Sequence, residues 1–256
     1  MEESQFYITL PSNSSVKIFP QNTVSNFMTK LSQTVTLTGE WEVGLSEIQY
    51  ARSWYNMRKR NNWIYVSPAR GKPFFAKDIP QGFYSSIHPV INFINRILSQ
   101  HSQEARDNIK INYDEVSARI KIDIKNGATL TFSSDVAVIL GFETPFERAI
   151  TQPTESPFAP NVHLGMYSLY VYCDIVQVQM VGDSQVPLLR VVPIEGQHGE
   201  YITRTYQSPQ YLPVSRKAFD SIEIDIKDDT GNSIPFESGK SMVTLHFRLK
   251  HSPYFN

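Results

Sequence analysis

Apolar and charged side chains alternate residue by residue in several short segments of this chain, and this pattern limits the possible folds more than any other feature. Isoleucine occupies every second position of 120–124 and of 222–226, and lysine, aspartate or glutamate occupies the positions between. Successive side chains of a β-strand point to opposite faces of its sheet, so each segment has one core face and one solvated face. Antiparallel sheets that are covered on one side have this pattern. The chain is therefore predicted to be all-β.

Similar segments, rich in β-branched and aromatic residues and bounded by Pro, Gly, Asn and Asp, recur through most of the sequence. They predict a sandwich with strands near 6–10, 16–19, 27–37 (with a break), 41–50, 63–66, 109–113, 118–124, 128–132, 167–172, 175–181, 188–192, 201–206, 219–227 and 242–249. Helical spacing of apolar residues predicts a helix over 86–101, and a short second helix is predicted over 135–140, ended by Gly141. Both helices are expected to be insertions between strands.

Four prolines in 143–160 predict an ordered or semi-rigid surface loop, which is the best candidate for a domain boundary. Strands are predicted on both sides of this loop, and the sequence has no internal repeat. A single domain over 1–256, with a helix-containing insertion at about 80–145 and this proline-rich loop, is therefore favoured over two domains.

The composition argues against several functional classes. The chain has 24 lysine and arginine residues and 25 acidic residues, so its net charge does not favour binding to nucleic acid or to an anionic membrane. The single cysteine, Cys173, excludes an intrachain disulfide framework and suits a reducing compartment. The most apolar segment, 166–181, is interrupted by polar residues well before the roughly 20 apolar residues that a spanning helix needs. The first five residues contain no apolar signal segment, so we predict neither a secretory route nor a membrane span.

Two short motifs of known enzymes occur, and both are better explained as turns. Asp229-Thr230-Gly231 matches the aspartic-protease triplet, which works only when a second carboxylate shares its proton. It lies between two alternating segments, where Asp and Gly favour a hairpin turn. The sequence 239–241 copies the end of a phosphate-binding loop, but a strand is predicted after it, and no helix N-terminus is available to hold phosphate. A β-rich hydrolase that uses Asp229 therefore ranks last among the alternatives.

Metal-binding and nucleophilic sites have no support in the sequence. The histidines show no close pair that would bring two imidazoles onto one metal, and Cys173 has no second cysteine near it. His246 is expected to be a half-buried or interface side chain of a strand. We predict no catalytic, cofactor-binding or metal-binding residues and no cofactor.

One basic cluster is interleaved with aromatic residues, and it provides the first candidate interface residues. Arg58, Lys59 and Arg60 lie close to Arg52 and Arg70 and are flanked by aromatic side chains. Such a cluster can contact phosphate or stack on bases. A solvated loop, or a loop that pairs with an acidic neighbouring subunit, is favoured over nucleic-acid binding. Aromatic residues and arginine often anchor protein interfaces, so further candidates are Trp54, Tyr55, Trp63, Tyr201, Tyr206 and Tyr211. The alternative for each of these residues is a place in the core.

The sequence resembles a known protein family over nearly its whole length. The opening segments 6–15 (FYITLPSNSS) and 37–48 (LTGEWEVGLSEI), followed by Ser53 and Trp54, carry much of the likeness. It continues at 140–142, 170–176, 181–183 and 187–190 and ends at 219–224, 235–236, 239 and 244–248. These segments resemble the minor capsid (penton) proteins of Polinton/Maverick elements and related adintovirus-like viruses.

The resemblance implies a single jelly roll of two facing antiparallel four-stranded sheets, with one inserted helix and long loops. It implies a homopentamer at the vertices of an icosahedral capsid, next to a double jelly-roll major capsid protein and with a spike or fibre as a further candidate partner. The chain is short enough for the minor rather than the major capsid protein. The implied location is the virion capsid, with synthesis in the host cytosol and assembly in the cytosol or the nucleus.

The main alternative is a jelly-roll binding module, either lectin-like or receptor-binding, because the same strands with aromatic loops would serve that purpose. Nucleic-acid contact is expected at most through the local basic loop.

Overall fold

The computed structural model describes residues 4–143, 149–164 and 166–250. These residues divide into two compact units: 4–54 with 166–250 form the first, and 55–143 with 149–164 form the second. The strands of the described residues are β1 (Gln5–Pro11), β2 (Asn26–Thr36), β3 (Trp41–Ala51), β4 (Trp63–Ser67), β5 (Phe75–Asp78), β6 (Ile109–Asp114), β7 (Arg119–Ile124), β8 (Thr129–Phe132), β9 (Thr154–Glu155), β10 (Ser168–Cys173), β11 (Gln179–Val181), β12 (Ser184–Val186), β13 (Leu188–Pro193), β14 (Tyr201–Thr205), β15 (Leu212–Pro213), β16 (Ala218–Lys227) and β17 (Ser241–Leu249). The helices are α1 (His88–His101), α2 (Gln103–Asn108) and α3 (Ser134–Ile139).

The first unit is a jelly roll. Its first sheet has the order β1-β17-β3-β14, with the short strand β15 also paired to β3, and its second sheet has the order β13-β10-β16-β2. Without the short β15, these two sheets contain eight main strands. When these eight are renumbered 1 to 8 along the chain, the sheets have the orders 1-8-3-6 and 5-4-7-2. All the pairings are antiparallel. Two antiparallel sheets connected in this way are the double Greek key of a jelly roll, so the predicted fold class is confirmed.

The core of the first unit lies between these two sheets. The alternation predicted for 222–226 is confirmed, because the three isoleucines of β16 are fully buried and the charged residues between them are not. Each such burial contributes about 1.5–3 kcal/mol to folding. The fully buried side chains of the two sheets include Leu10, Phe27, Val43, Leu45, Ile48, Leu169, Val171, Ile222, Ile224, Ile226, Val243, Leu245 and Phe247.

The second unit is inserted in the chain between β3 and β10, which are the third and fourth main strands of the jelly roll. It contains the sheets β5-β4-β8 and β6-β7-β9 and all three helices. The apolar stripe of α1 is buried in a core of its own. Asn95 of α1 closes the edge of β6, because its side chain accepts from the N–H of Ile111 at 3.1 Å and donates to the Ile111 carbonyl at 2.7 Å.

Most predicted elements are present, and the differences are local. Both predicted helices form, and α2 was not expected. The strand predicted at 16–19 is wrong: the N–H groups of Ile18 and Phe19 both donate to the Ser15 carbonyl, which makes a turn. Only the end of the strand predicted at 175–181 is extended, as β11.

The predicted insertion at about 80–145 lies inside the second unit, which begins at residue 55. That residues 1–256 form a single domain stays a prediction. The proline-rich loop lies partly outside the described residues, and its described part contains β9. Within the described part of the chain, no helix is long and apolar enough to cross a membrane.

Candidate functional site

A groove of about 770 Å³ lies over the outer face of the second sheet, within the first unit. The outward side chains of two neighbouring strands line it, because the inward residues between them fill the core. Tyr170 and Tyr172 come from β10, and Glu223, Asp225 and Lys227 come from β16. The strand register places Tyr170 opposite Lys227 and Tyr172 opposite Asp225. The groove therefore presents aromatic rings beside carboxylates.

Two turns complete the lining of this groove. One belongs to the β11–β12 hairpin, in which Val181 pairs with Ser184 and Gly182 has a φ of +61°. The other is the 229–231 triplet. There the Asp228 carboxylate accepts hydrogen bonds from the N–H groups of Thr230 at 3.0 Å and Asn232 at 2.9 Å. The triplet is thus a side-chain-stabilised turn, as the sequence predicted.

We call this site the acidic groove, because five carboxylates and one lysine line it. The carboxylates belong to Asp174, Asp183, Glu223, Asp225 and Asp229, and the lysine is Lys227.

Within the acidic groove, some carboxylates are neutralised and others are not. Asp174 forms an ion pair with Arg216 and accepts from the N–H of Glu223 at 2.9 Å. Asp225 pairs with Lys227 at 3.0 Å. Asp183 and Asp229 are exposed, and neither takes part in an ion pair between described residues. The groove therefore favours a cationic group that is flanked by apolar or aromatic atoms.

The one cysteine that lines the acidic groove is not an activated nucleophile. Cys173 lines it but is 1% exposed, and burial raises the pKa of its thiol to about 12. The thiol therefore stays protonated at neutral pH and is a poor nucleophile. Among the described residues, no group of three or more His, Cys, Asp or Glu is placed to hold a metal ion.

A second cluster lies on the outer face of the first sheet. The exposed ring of Tyr7 stacks on His246 with 4.3 Å between the ring centroids. The Tyr211 hydroxyl and His246 Nδ1 are 2.6 Å apart, and the Arg248 guanidinium lies 3.5 Å from the centre of the Tyr211 ring. Arg248 also donates to Glu42 through two nitrogens, at 2.9 and 3.1 Å. Burial, and then the positive charge of Arg248, lower the pKa of His246 below its usual value.

This cluster is held in place by a loop that crosses the sheet above Gly44. A Cβ atom at this position would lie 2.8 Å from Pro209 Cβ, 2.9 Å from the Gln210 carbonyl oxygen and 3.3 Å from Tyr211 Cδ1. Only glycine allows the loop to approach the strand so closely. Gly44 therefore allows Tyr211 to reach His246.

The predicted interface residues do not form one site. Trp54 is 5% exposed and packs in the core of the first unit against Tyr50 and Phe236, at 6.2 and 5.6 Å between ring centroids. Tyr55 is half-buried, and Trp63 is half-buried against Tyr65 in the second unit. We assign Trp54 to the core and leave it out of the proposed surfaces.

The remaining candidates are more accessible. Lys59 and Arg60 are exposed, whereas Arg58 is half-buried and its charge opposes the rise that burial causes in the pKa of Asp135. Tyr201 is 47% exposed at the start of β14. Tyr206 is half-buried under Arg190, whose guanidinium lies 3.6 Å from the ring centre. Tyr211 belongs to the cluster on the first sheet. An interface role for these residues stays a prediction.

Sequence reasoning missed the acidic groove and an exposed turn at 16–18. The groove draws its residues from 170–174, 181–187 and 223–231, so its formation depends on strand order rather than on any local motif. The available signal was the run of outward carboxylates on β16 opposite the two tyrosines of β10. For 16–18, the signal was a lysine with one β-branched apolar residue on each side. This segment follows three polar residues and is closely followed by a proline.

Comparison with known proteins gives matches among solved structures only. No protein-family model matches the sequence, and no curated protein matches it. The crystal structure of the mavirus penton protein superposes with a TM-score of 0.51 at 10% sequence identity, covering 95% of this chain and 99% of that one. A chain of the cryo-EM structure of the Sputnik virophage superposes with a TM-score of 0.50 at 11% identity, covering 97% of this chain and 99% of that one. Along nearly its whole length, the chain therefore has the fold of the mavirus penton protein.

Proposed function

We propose that this protein is a structural subunit of a viral capsid, specifically the penton subunit that forms homopentamers at the vertices of an icosahedral shell. The single observation that carries the proposal is the whole-chain match to the mavirus penton protein, because it covers both the jelly roll and the inserted second unit. At 10% identity the match concerns the fold. The capsid role rests on that fold together with the family resemblance of the sequence.

The surface of the first unit supports a role in assembly. A jelly roll with a packed core holds its faces and loops rigidly, so each face can be buried against a neighbour at little cost in conformational entropy. The outer face of the first sheet carries the Tyr7, Tyr211 and His246 cluster, and the second sheet carries the acidic groove. A fivefold ring needs two different patches on each subunit, and both faces are candidates to provide one.

The proposed partners follow from this role. Within the ring the partner is a second copy of this chain, and at the ring's periphery it is a double jelly-roll major capsid protein. A vertex spike or fibre is a further proposed partner, and the proposed location is the virion capsid. The protein acts by binding and has no catalytic step.

The oligomeric state of the purified protein tests the proposal. Mass photometry and negative-stain imaging are expected to give a five-membered ring, or larger particles when the major capsid protein is added. A protein that stays strictly monomeric at high concentration, both alone and with the major capsid protein, contradicts the proposal.

A second candidate function is a jelly-roll binding module, lectin-like or receptor-binding, and the tyrosines of the acidic groove favour it. Saturable binding to a member of a glycan or receptor panel, lost when Tyr172 is replaced by alanine, would support this function. The absence of any signal across the panel would remove it.

A further inference from the structure

Three exposed residues, Val16, Lys17 and Ile18, form a turn between β1 and β2, which we call the 16–18 turn. Val16 and Ile18 are 46% and 59% exposed, and Lys17 is exposed between them. Across the described residues, Lys17 takes part in no ion pair. The turn therefore presents two exposed apolar side chains on either side of a lysine that takes part in no ion pair with another described residue.

The 16–18 turn is fixed in position by its own loop. The N–H groups of Ile18 and Phe19 donate to the Ser15 carbonyl at 2.9 and 2.8 Å, which sets the backbone of the turn. The Ser15 hydroxyl accepts from the N–H of Lys30 in β2 at 3.0 Å. A turn that is ordered before binding loses little conformational entropy when it binds.

The same loop covers the free edge of β2, which is the last strand of the second sheet. The Asn22 side chain accepts from the N–H of Met28 and donates to the Met28 carbonyl, both at 2.9 Å. At Met28 these bonds occupy the backbone groups that an added strand would use. The 16–18 turn is therefore available as a side-chain surface, next to a part of the edge whose backbone groups are already paired.

The acidic groove is the complementary surface in the first unit. Two of its five carboxylates, Asp174 and Asp225, are paired with Arg216 and Lys227, and the other three take part in no ion pair between described residues. Two of these three, Asp183 and Asp229, are exposed. Tyr170, Tyr172 and Val181 provide apolar atoms beside the carboxylates. A lysine flanked by Val16 and Ile18 matches such a groove in both charge and polarity.

The two surfaces lie at different places on the same sheet. The 16–18 turn belongs to the loop at the β2 edge of the second sheet. The groove lies over the two central strands, β10 and β16. The hairpin that borders the groove leads into β13, which is the strand at the opposite edge. A contact in which one patch meets a different patch of the next copy repeats head to tail, and it closes into a ring when the rotation allows.

We propose that the 16–18 turn of one copy of this chain docks in the acidic groove of the next copy. Lys17 faces the carboxylates of Asp183 and Asp229, and Val16 and Ile18 pack against the tyrosine side of the groove. This inference rests on the proposed self-assembling function and adds the pair of surfaces that joins neighbouring subunits.

Engineered cysteines test the contact directly. In one chain Lys17→Cys and Asp183→Cys are combined, and the purified assembly is oxidised with diamide, which takes up two electrons and two protons as each disulfide forms. The native Cys173 is buried and does not interfere. A ladder of covalent species up to the pentamer is expected on a non-reducing gel, and dithiothreitol should abolish it. A mixture of the two single variants should give covalent dimers only.

A matched pair of positions serves as the control. Lys217 is also an exposed lysine of the first unit, outside the groove lining, and it precedes Ala218, which pairs with Thr36 at the end of β2. Lys217→Cys with Asp183→Cys should therefore give no ladder. A Lys17→Cys, Asp183→Cys protein that still forms rings but gives no ladder leaves the groove to some other basic partner and overturns the inference alone. An equal ladder in the Lys217 pair overturns it as well. A wild-type protein that never assembles contradicts the proposed function instead.

Charge reversal provides an independent measurement. Lys17→Glu is expected to raise the concentration at which rings dissociate at least about tenfold, and Lys17→Arg should leave it unchanged. Lys217→Glu makes the same change in net charge away from the 16–18 turn and the groove lining and should have no effect. A Lys17→Glu protein whose rings dissociate at the wild-type concentration overturns the inference.

Discussion

Adding one methyl group at Gly44 is expected to displace the loop that crosses the outer face of the first sheet. In Gly44→Ala the new Cβ would lie 2.8 Å from Pro209 Cβ and 2.9 Å from the Gln210 carbonyl oxygen. Both distances are shorter than ordinary contacts between such atoms. A proline ring carbon and a backbone oxygen cannot rotate out of the way, so the loop backbone itself has to move.

The loss of stability in Gly44→Ala has two sources, the overpacking itself and a hydrogen bond of the displaced loop. Forcing an extra methyl group into a close-packed site costs about 1–3 kcal/mol. Loss of the 2.6 Å hydrogen bond between Tyr211 and His246 adds about 1 kcal/mol if the loop moves far enough to break it. A chain of this size loses about 2–4 °C in Tm for each kcal/mol. The total of about 1–4 kcal/mol therefore predicts that the Tm of Gly44→Ala falls by about 2–16 °C.

Urea unfolding followed by tryptophan fluorescence, together with thermal unfolding followed by circular dichroism, measures this loss. Gly82→Ala is the control, because a Cβ there meets no atom within 4 Å, and its stability should stay within about 0.5 kcal/mol of wild type. In Gly44→Ala the pKa of His246, followed by NMR, should rise toward 6.5 as water reaches the ring. A Gly44→Ala protein as stable as Gly82→Ala, with an unchanged His246 pKa, would refute the reasoning.

Three further predictions concern single residues. The Cys173 thiol, whose pKa is raised to about 12, should not react with a thiol reagent in the native protein at pH 8 and should react fully in urea. Gly141→Ala should lower the free energy of unfolding by more than 1 kcal/mol in urea titrations, because φ is +82° and the new Cβ would collide with the Phe158 carbonyl oxygen. Folding lowers the pKa of His246, so the unfolded chain takes up a proton at this histidine at a higher pH than the folded chain does. The free energy of unfolding should therefore fall as the pH drops below about 6.5. His246→Asn should make this fall between pH 7.5 and 5.5 shallower; an equal slope in both proteins would contradict the assignment.

Period-two alternation was enough to predict most of the strands, because each strand of the jelly roll is covered on one face only. In β7 and β16 the buried isoleucines and the outward charged residues are the ones that the pattern assigns to each face. The helix α1 was predicted for the same reason, since its apolar stripe faces a core. The spacing of apolar residues depends on which side chains are buried, so it predicts well those elements that bury one face.

The same reasoning failed where alternation had another cause. Val16 and Ile18 alternate with polar residues as a strand would, yet both are exposed in a turn that Ser15 organises. Trp54 was a candidate either for an interface or for the core, and it packs in the core. A residue type alone does not distinguish a core aromatic from an interface aromatic, because both environments reward the burial of a large ring.

The acidic groove was beyond sequence reasoning for a different reason. Tyr172 and Asp225 are distant in the chain and become neighbours only because β10 pairs with β16 in a particular register. That pairing is set by the whole jelly-roll connectivity and not by the two segments alone. Function in a protein of this kind depends on which outward residues the strand order brings together.

The way in which the second sheet ends bears on how the proposed penton subunit would associate. If the edge of β2 were open, copies could add strand to strand, a mode that has no fixed end point and leads to fibres. Asn22 occupies the N–H and carbonyl of Met28, and Ser15 accepts from the N–H of Lys30, so an added strand finds these groups already paired in this part of the edge. In the proposed ring, association next to this part of the edge then uses side chains, and their shape and charge would set the rotation between copies. A fixed rotation between copies is the condition for a ring that closes, so replacing Asn22 by alanine should favour open-ended aggregates over rings in negative-stain images.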